Sequence, residues 1–302
     1  MSAGSVLVLA GPTGVGKSAL AIQVAQQVGA EIVSADSRQV YRGLDIGTAT
    51  PTPEAQQGVP HHLLDELDPT QPVTAGWFAR RAAEAIAEIQ GRGHPVLVVG
   101  GSTLYVHALV AGLADLPSLD SALAAELSQI AEHPEGRQAL YDELRRADPE
   151  AAATLDPSKS QRLVRLVGLV RQTGAPVSRR WREAASAPLP TRLVVLDRPR
   201  PALYQAIDAR VDDMLEGGLL EEARAVLRRW PDAQGVLEAT IGYRELLPVL
   251  RGERDLDDAR RLIQRNSRRY AKRQLTWYRR YPQAEWVQAD AVRAEDLIPA
   301  DG

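Results

Sequence analysis

Gly11, Gly16, Lys17 and Ser18 fall in the order G-x-x-x-x-G-K-S within the stretch GPTGVGKS. Glycines let the backbone N–H groups of such a loop turn inward around a phosphate chain, and the positive end of a following helix adds to the field. The lysine neutralises terminal phosphate oxygens, and the serine hydroxyl ligates Mg²⁺. Gly11, Pro12, Thr13, Gly14, Val15, Gly16, Lys17 and Ser18 are therefore expected to hold a polyphosphate, with Ser18 as the Mg²⁺ ligand. The pattern does not choose between a nucleoside triphosphate and a diphosphate ester.

A second polar stretch, SADSRQVY (residues 34–41), follows the apolar run EIV. In an open parallel sheet the carboxyl ends of the strands share one edge, and ligands bind there. Asp36 then lies one strand along from the phosphate loop. A carboxylate at that place can cap a turn, hold a metal-bound water, or act as a general base facing the phosphates. Spacing alone leaves all three roles open.

The elements that would position these groups alternate. SVLVLA (5–10), AEIVSA (30–35), PVLVVGG (95–101) and TRLVVLD (191–197) read as buried strands, and AEWVQA (284–289) as a candidate to close the sheet. SALAIQVAQQVG (18–29) and AGWFARRAAEAIAEIQGRG (75–93) read as helices that stop at glycine. This alternation predicts an α/β fold, a P-loop NTPase-like parallel sheet flanked by helices. Over residues 112–187 the strand signal disappears and helical patterns succeed one another. That predicts an all-helical insertion domain within a core made of residues 1–111 and 188–302. Helical patterns return after Pro199, broken at Gly217 and Gly218, and the residues from Asp290 onward are expected to fray.

Composition narrows the chemistry. The 302 residues include no cysteine, which excludes disulfides, thiolate nucleophiles and zinc-thiolate sites. The N-terminus lacks the basic start of a signal peptide, and no apolar stretch reaches the ~20 residues of a membrane span. A cytoplasmic monomer with no membrane and no obligate protein partner is expected. Net charge is −3, yet residues 260–281 carry nine Arg or Lys and no acid, interleaved with Tyr270, Trp277, Tyr278 and Tyr281. Residues 159–182 carry seven basic groups and no acid. Such runs are either solvated helix faces or phosphate contacts with aromatic stacking on RNA.

Seven stretches occur in a particular order: GPTGVGKS, VSADSRQVYRGLDIGTAT, PHHLLD, VLVVGGSTLY, DPSKSQRLVRLV, IGYRELL and AKRQLTWYRR. Together they closely resemble the tRNA dimethylallyltransferase family, also called tRNA isopentenyltransferases, from about Val6 to Trp286. The resemblance implies transfer of a dimethylallyl group from dimethylallyl diphosphate to N6 of the adenosine 3′ of the anticodon, at tRNA position 37, with release of pyrophosphate. It implies that the phosphate loop binds the prenyl donor rather than ATP. It implies Asp36 as general base, with Lys17, Ser102 and Arg210 as further catalytic residues and Arg210 on the diphosphate. It places Asp36, Ser37, Arg38, Gln39, Ser102, Gln161, Arg162, Leu163, Val164, Arg165, Thr240, Ile241, Gly242, Tyr243 and Arg244 against the tRNA.

The plain alternative for Arg210 is a surface ion pair with Asp208 or Asp213. Ser102 stands where the family commonly has threonine, and Thr50 where it commonly has lysine. Competing enzymes are a P-loop nucleotide or small-molecule kinase, with Asp197 of LVVLD directing Mg²⁺, and an isopentenyltransferase of free adenylate. An RNA-binding NTPase switch is the non-enzymatic competitor.

Overall fold

The computed structural model of the chain describes residues 6–112, 116–117, 119–156, 158–183 and 189–298. Six strands form one sheet: β1 (Val6–Ala10), β2 (Glu31–Ser34), β3 (His61–His62), β4 (Val96–Gly100), β5 (Thr191–Asp197) and β6 (Glu285–Gln288). Every pairing is parallel, in the order β3-β2-β4-β1-β5-β6. β1, β2 and β4 are buried along their whole length. Continuous apolar runs of this kind are what a sheet covered on both faces requires. Because all strands are parallel, the turns after β1, β2, β4 and β5 emerge on one edge.

Helix Lys17–Val28 follows the phosphate loop and ends at Gly29, whose left-handed backbone donates its N–H to the Ala25 carbonyl. Thr74 caps helix Ala75–Gly91 by accepting the Trp77 N–H at 3.0 Å. One strand carried no sequence signal, and one expectation needs correction. The edge strand β3 is too short for a periodic signal. The C-terminal segment does not fray as a whole: Ala294–Leu297 is helical, Ala294 and Leu297 join the core beside helix Lys17–Val28, and Arg192 donates to the Leu297 carbonyl at 2.7 Å. Residues 299–302, and Ser5 of the first strand pattern, lie outside the described residues.

The edge of the sheet opposite the phosphate loop, where β2 begins, is locked by charge. Glu31, 4 % exposed, accepts hydrogen bonds from His62 Nε2 (2.6 Å), His94 Nδ1 (2.7 Å) and Arg92 Nη2 (2.7 Å). Burial pushes its carboxyl up, but the bonds from His62, Arg92 and His94 and the Arg92 charge outweigh burial and bring it down to about 2. A carboxyl lowered by folding stabilises the protein above its unfolded value, and the gain is lost as pH falls toward the folded value. Glu31→Gln is expected to destabilise by about 2 kcal/mol at pH 7. Denaturant unfolding should show that difference shrinking between about pH 4.5 and pH 2.

The chain divides into two compact units, Met1–Ala111 with Pro188–Gly302, and Gly112–Ala187. The second unit is helical throughout its described residues, with Ser121–Glu132, Pro134–Ala147, Pro149–Ala153, Ser160–Thr173 and Val177–Glu183. It has its own core, including Leu127, Leu140, Leu144, Leu163 and Leu166. Buried Asp148 accepts the Ala151 N–H (3.0 Å), the Ser178 N–H (2.8 Å) and the Ser178 hydroxyl (2.6 Å), tying two helix starts together. No helix among the described residues is long and apolar enough to cross a membrane.

Candidate active site

The loop between β1 and helix Lys17–Val28 needs glycine. Gly11, Gly14 and Gly16 have φ of 147°, 77° and 103°, a region that side chains disfavour. A Cβ on Gly14 would also lie 2.8 Å from Ile207 Cγ1. Lys17 Nζ donates to the Gly11 and Pro12 carbonyls at 3.1 and 2.8 Å, which places the ammonium over the loop. Burial lowers its pKa to about 8, the neighbouring Arg210 charge adds to the drop, and Asp36 opposes it.

A cavity of about 360 Å³ opens on this edge, lined by Thr13, Lys17 and Ser18 of the loop and by Asp36, Ser37, Arg38 and Gln39 after β2. Asp36 Oδ1 accepts the Arg38 N–H at 2.8 Å, so the carboxylate shapes a turn and also faces the cavity. Gln39 accepts the Ser34 hydroxyl at 2.9 Å and donates to the Thr48 and Ala49 carbonyls at 3.3 and 3.1 Å. The Ser102 hydroxyl is 7 % exposed and accepts the Ser37 N–H at 2.9 Å. Its place is behind the Asp36 turn rather than on the cavity lining, so it supports Asp36, and the methyl of a threonine is not needed for that bond.

Arg210, on helix Arg200–Glu216, reaches the same cavity. Its guanidinium donates to Thr13 Oγ1 and the Thr48 carbonyl, both at 3.4 Å, while Asp208 pairs with Arg268 at 2.5 Å. The surface ion pair is therefore not its role. Asp197 lies elsewhere: it lines a separate pocket with Arg198 and Lys272, and its Oδ1 accepts the Arg198 N–H at 2.8 Å. A kinase reading loses its metal-directing carboxylate.

Two residues gave no sequence signal. Glu222 accepts the N–H groups of Asp45, Ile46 and Gly47 at 2.9, 2.8 and 3.1 Å and the Tyr243 hydroxyl at 2.6 Å. This fixes the loop that carries Gly47, Thr48 and Ala49 onto the cavity wall. A Cβ on Gly47 would collide with the Tyr243 ring. Gln274, 2 % exposed, bonds the phosphate loop from the opposite side.

A family model for IPP transferases matches residues 39–281. The chain belongs to the IPP transferase family. It is 47 % identical over 298 residues to the tRNA dimethylallyltransferase of Salinibacter ruber, covering 97 % of this chain and 90 % of that one. It is 45 % identical to tRNA dimethylallyltransferase 1 of Trichlorobacter lovleyi, covering 93 % of each. The crystal structure of the full-length tRNA isopentenylpyrophosphate transferase of Bacillus halodurans superposes with a TM-score of 0.69 at 36 % identity, covering 97 % of this chain and 93 % of that one. A eukaryotic dimethylallyltransferase captured acting on tRNA gives a TM-score of 0.79 at 30 % identity, covering 95 % of this chain and 74 % of that one.

Within this IPP transferase the segments expected to face tRNA divide by burial. Gln161, Arg162 and Arg165 are exposed on helix Ser160–Thr173, whereas Leu163 and Val164 belong to the insertion's own core. Thr240, Ile241, Gly242 and Arg244 line the cavity, whereas Tyr243 is fully buried against Glu222. The basic run on helix Leu256–Tyr278 is partly neutralised, because Arg260 and Arg268 pair with Asp212 and Asp208, and Arg261 with Asp258. Tyr278 and Tyr281 are core residues, not stacking platforms. Arg171 of the second run pairs with Glu143 at 2.7 Å.

Proposed function

We propose that the chain is a tRNA dimethylallyltransferase that alkylates N6 of the adenosine at tRNA position 37 and releases pyrophosphate. One observation carries this reading: a carboxylate, Asp36, shares a cavity with the phosphate loop, Lys17 and Arg210. An exocyclic adenine amine is a weak nucleophile because its lone pair is delocalised into the ring. Asp36 accepts its proton as the N6–carbon bond forms and the carbon–oxygen bond to the diphosphate breaks. Lys17, Arg210 and the loop N–H groups offset the charge that grows on the leaving group. The base must leave its stack to reach Asp36, which costs less in a loop than in a paired stem.

The donor set suits Mg²⁺. Among the described residues no cluster of three His, Asp or Glu could cage a metal, while Ser18 is exposed on the cavity wall. Mg²⁺ favours this arrangement, with one hydroxyl from the protein and the remaining oxygens from phosphates and water. When bound, it supplies charge neutralisation to the diphosphate.

Incubation with labelled dimethylallyl diphosphate and unmodified tRNA tests the reading. Label should appear in tRNA with stoichiometric pyrophosphate. Transfer to free AMP instead, or ATP hydrolysis without prenyl transfer, would overturn it. Exposed Arg265, Arg269, Lys272 and Arg279 make no ion pair among the described residues, so tRNA binding should rest on phosphate contacts. A log–log salt slope of about −3 or steeper is expected. An affinity unchanged by salt would count against this surface.

A further inference from the structure

The run AKRQLTWYRR reads as an RNA surface, yet its long uncharged polar residue faces inward. Gln274 Oε1 accepts the Thr13 N–H at 3.0 Å, and Nε2 donates to the Gly101 carbonyl at 2.7 Å. The two bonds fix the amide orientation, since only the oxygen can accept and only the nitrogen can donate. Ile263, Ser267 and Tyr270 lie on the same helical face and also line the cavity. Thr13 sits between Gly11 and Gly14, both at positive φ, and a loop so rich in glycine samples many backbone states unless it is held. Its neighbours hold it twice: Gln274 at the N–H, and Arg210 at the hydroxyl at 3.4 Å.

We propose that Gln274 is a positioning residue for the prenyl donor: it pins Thr13 to the turn after β4, so that the phosphate loop is ordered for a diphosphate before one binds. A preorganised loop spends less of its binding free energy on ordering itself. The basic helix thus serves both ends of the reaction, with arginines toward solvent and one amide under the diphosphate. This inference rests on the reading above that the loop takes a diphosphate.

Gln274→Met keeps the length of the side chain and removes both bonds. Calorimetry should show its affinity for inorganic pyrophosphate with Mg²⁺ falling roughly tenfold. KM for dimethylallyl diphosphate should rise by a similar factor, with KM for tRNA unchanged. A merely structural role would instead lower the melting temperature and move both KM values together. Gly101→Ala unseats the same amide from its other end, because a Cβ there would lie 2.5 Å from Gln274 Nε2, with the Gly11 carbonyl further off at 3.3 Å. It should reproduce the pyrophosphate defect, and it decides the matter if Gln274→Met does not fold. Wild-type pyrophosphate affinity in either folded variant, or a rise in KM for tRNA alone, would overturn the proposal. A wild-type protein that binds pyrophosphate without transferring a prenyl group would overturn the proposed function and leave this inference standing.

Discussion

Replacing Asp36 with Asn is expected to lower kcat by ~10²–10⁴ while tRNA affinity stays within about threefold. Asn is the informative substitution because Asp36 has two jobs. Its Oδ1 accepts the Arg38 N–H at 2.8 Å, and an amide oxygen can do the same. The turn that carries Ser37, Arg38 and Gln39 should therefore survive, whereas an amide cannot take the proton of N6. Alanine removes both functions, so any further loss in Asp36→Ala measures the turn. Single-turnover kinetics with saturating donor isolates the chemical step from product release. Wild-type turnover in Asp36→Asn would remove the general base from the mechanism and leave Asp36 as a turn residue.

The phosphate loop, five of the six strands and the helical run over residues 112–187 were legible because each is local. Glycine spacing, apolar runs and 3.6-residue periodicity are properties of adjacent residues, and β6 was found as AEWVQA by the same signal. The roles that escaped are set by distant partners. Gln274 and Thr13 are 261 residues apart, and Glu222 and Asp45 are 177 apart, so no local pattern marks them. Other errors were avoidable. Leu163, Leu166, Val167 and Val170 repeat at the spacing of a buried helical face, which separates them from exposed Arg162 and Arg165. Ala271, Gln274 and Tyr278 form such a face on helix Leu256–Tyr278. A charge run therefore has to be divided by helical face before its aromatics are assigned to RNA.

Lys17→Met is expected to reduce kcat/KM for the prenyl donor by ~10²–10³, the usual cost of losing one donor to a developing anion. The wild-type enzyme supplies a second, independent reading of the same ammonium. Burial and the Arg210 charge lower the Lys17 pKa to about 8 against the pull of Asp36. Since kcat/KM reports the free enzyme, it should fall about tenfold per pH unit above that value. Each neighbour should move this alkaline limb in its own direction. Asp36→Asn removes a charge that favours the ammonium, so the limb shifts to lower pH. Arg210→Met removes a charge that opposes it, so the limb shifts to higher pH even though the variant binds donor less tightly. Lys17→Met should lack the limb altogether. A limb that persists in Lys17→Met, or that moves the same way in both neighbours' variants, would show that another group titrates and that the three charges do not share one field. Opposite shifts would establish that the base and the diphosphate cradle are one electrostatic unit, which the chemistry requires if the proton and the leaving group depart in a single step.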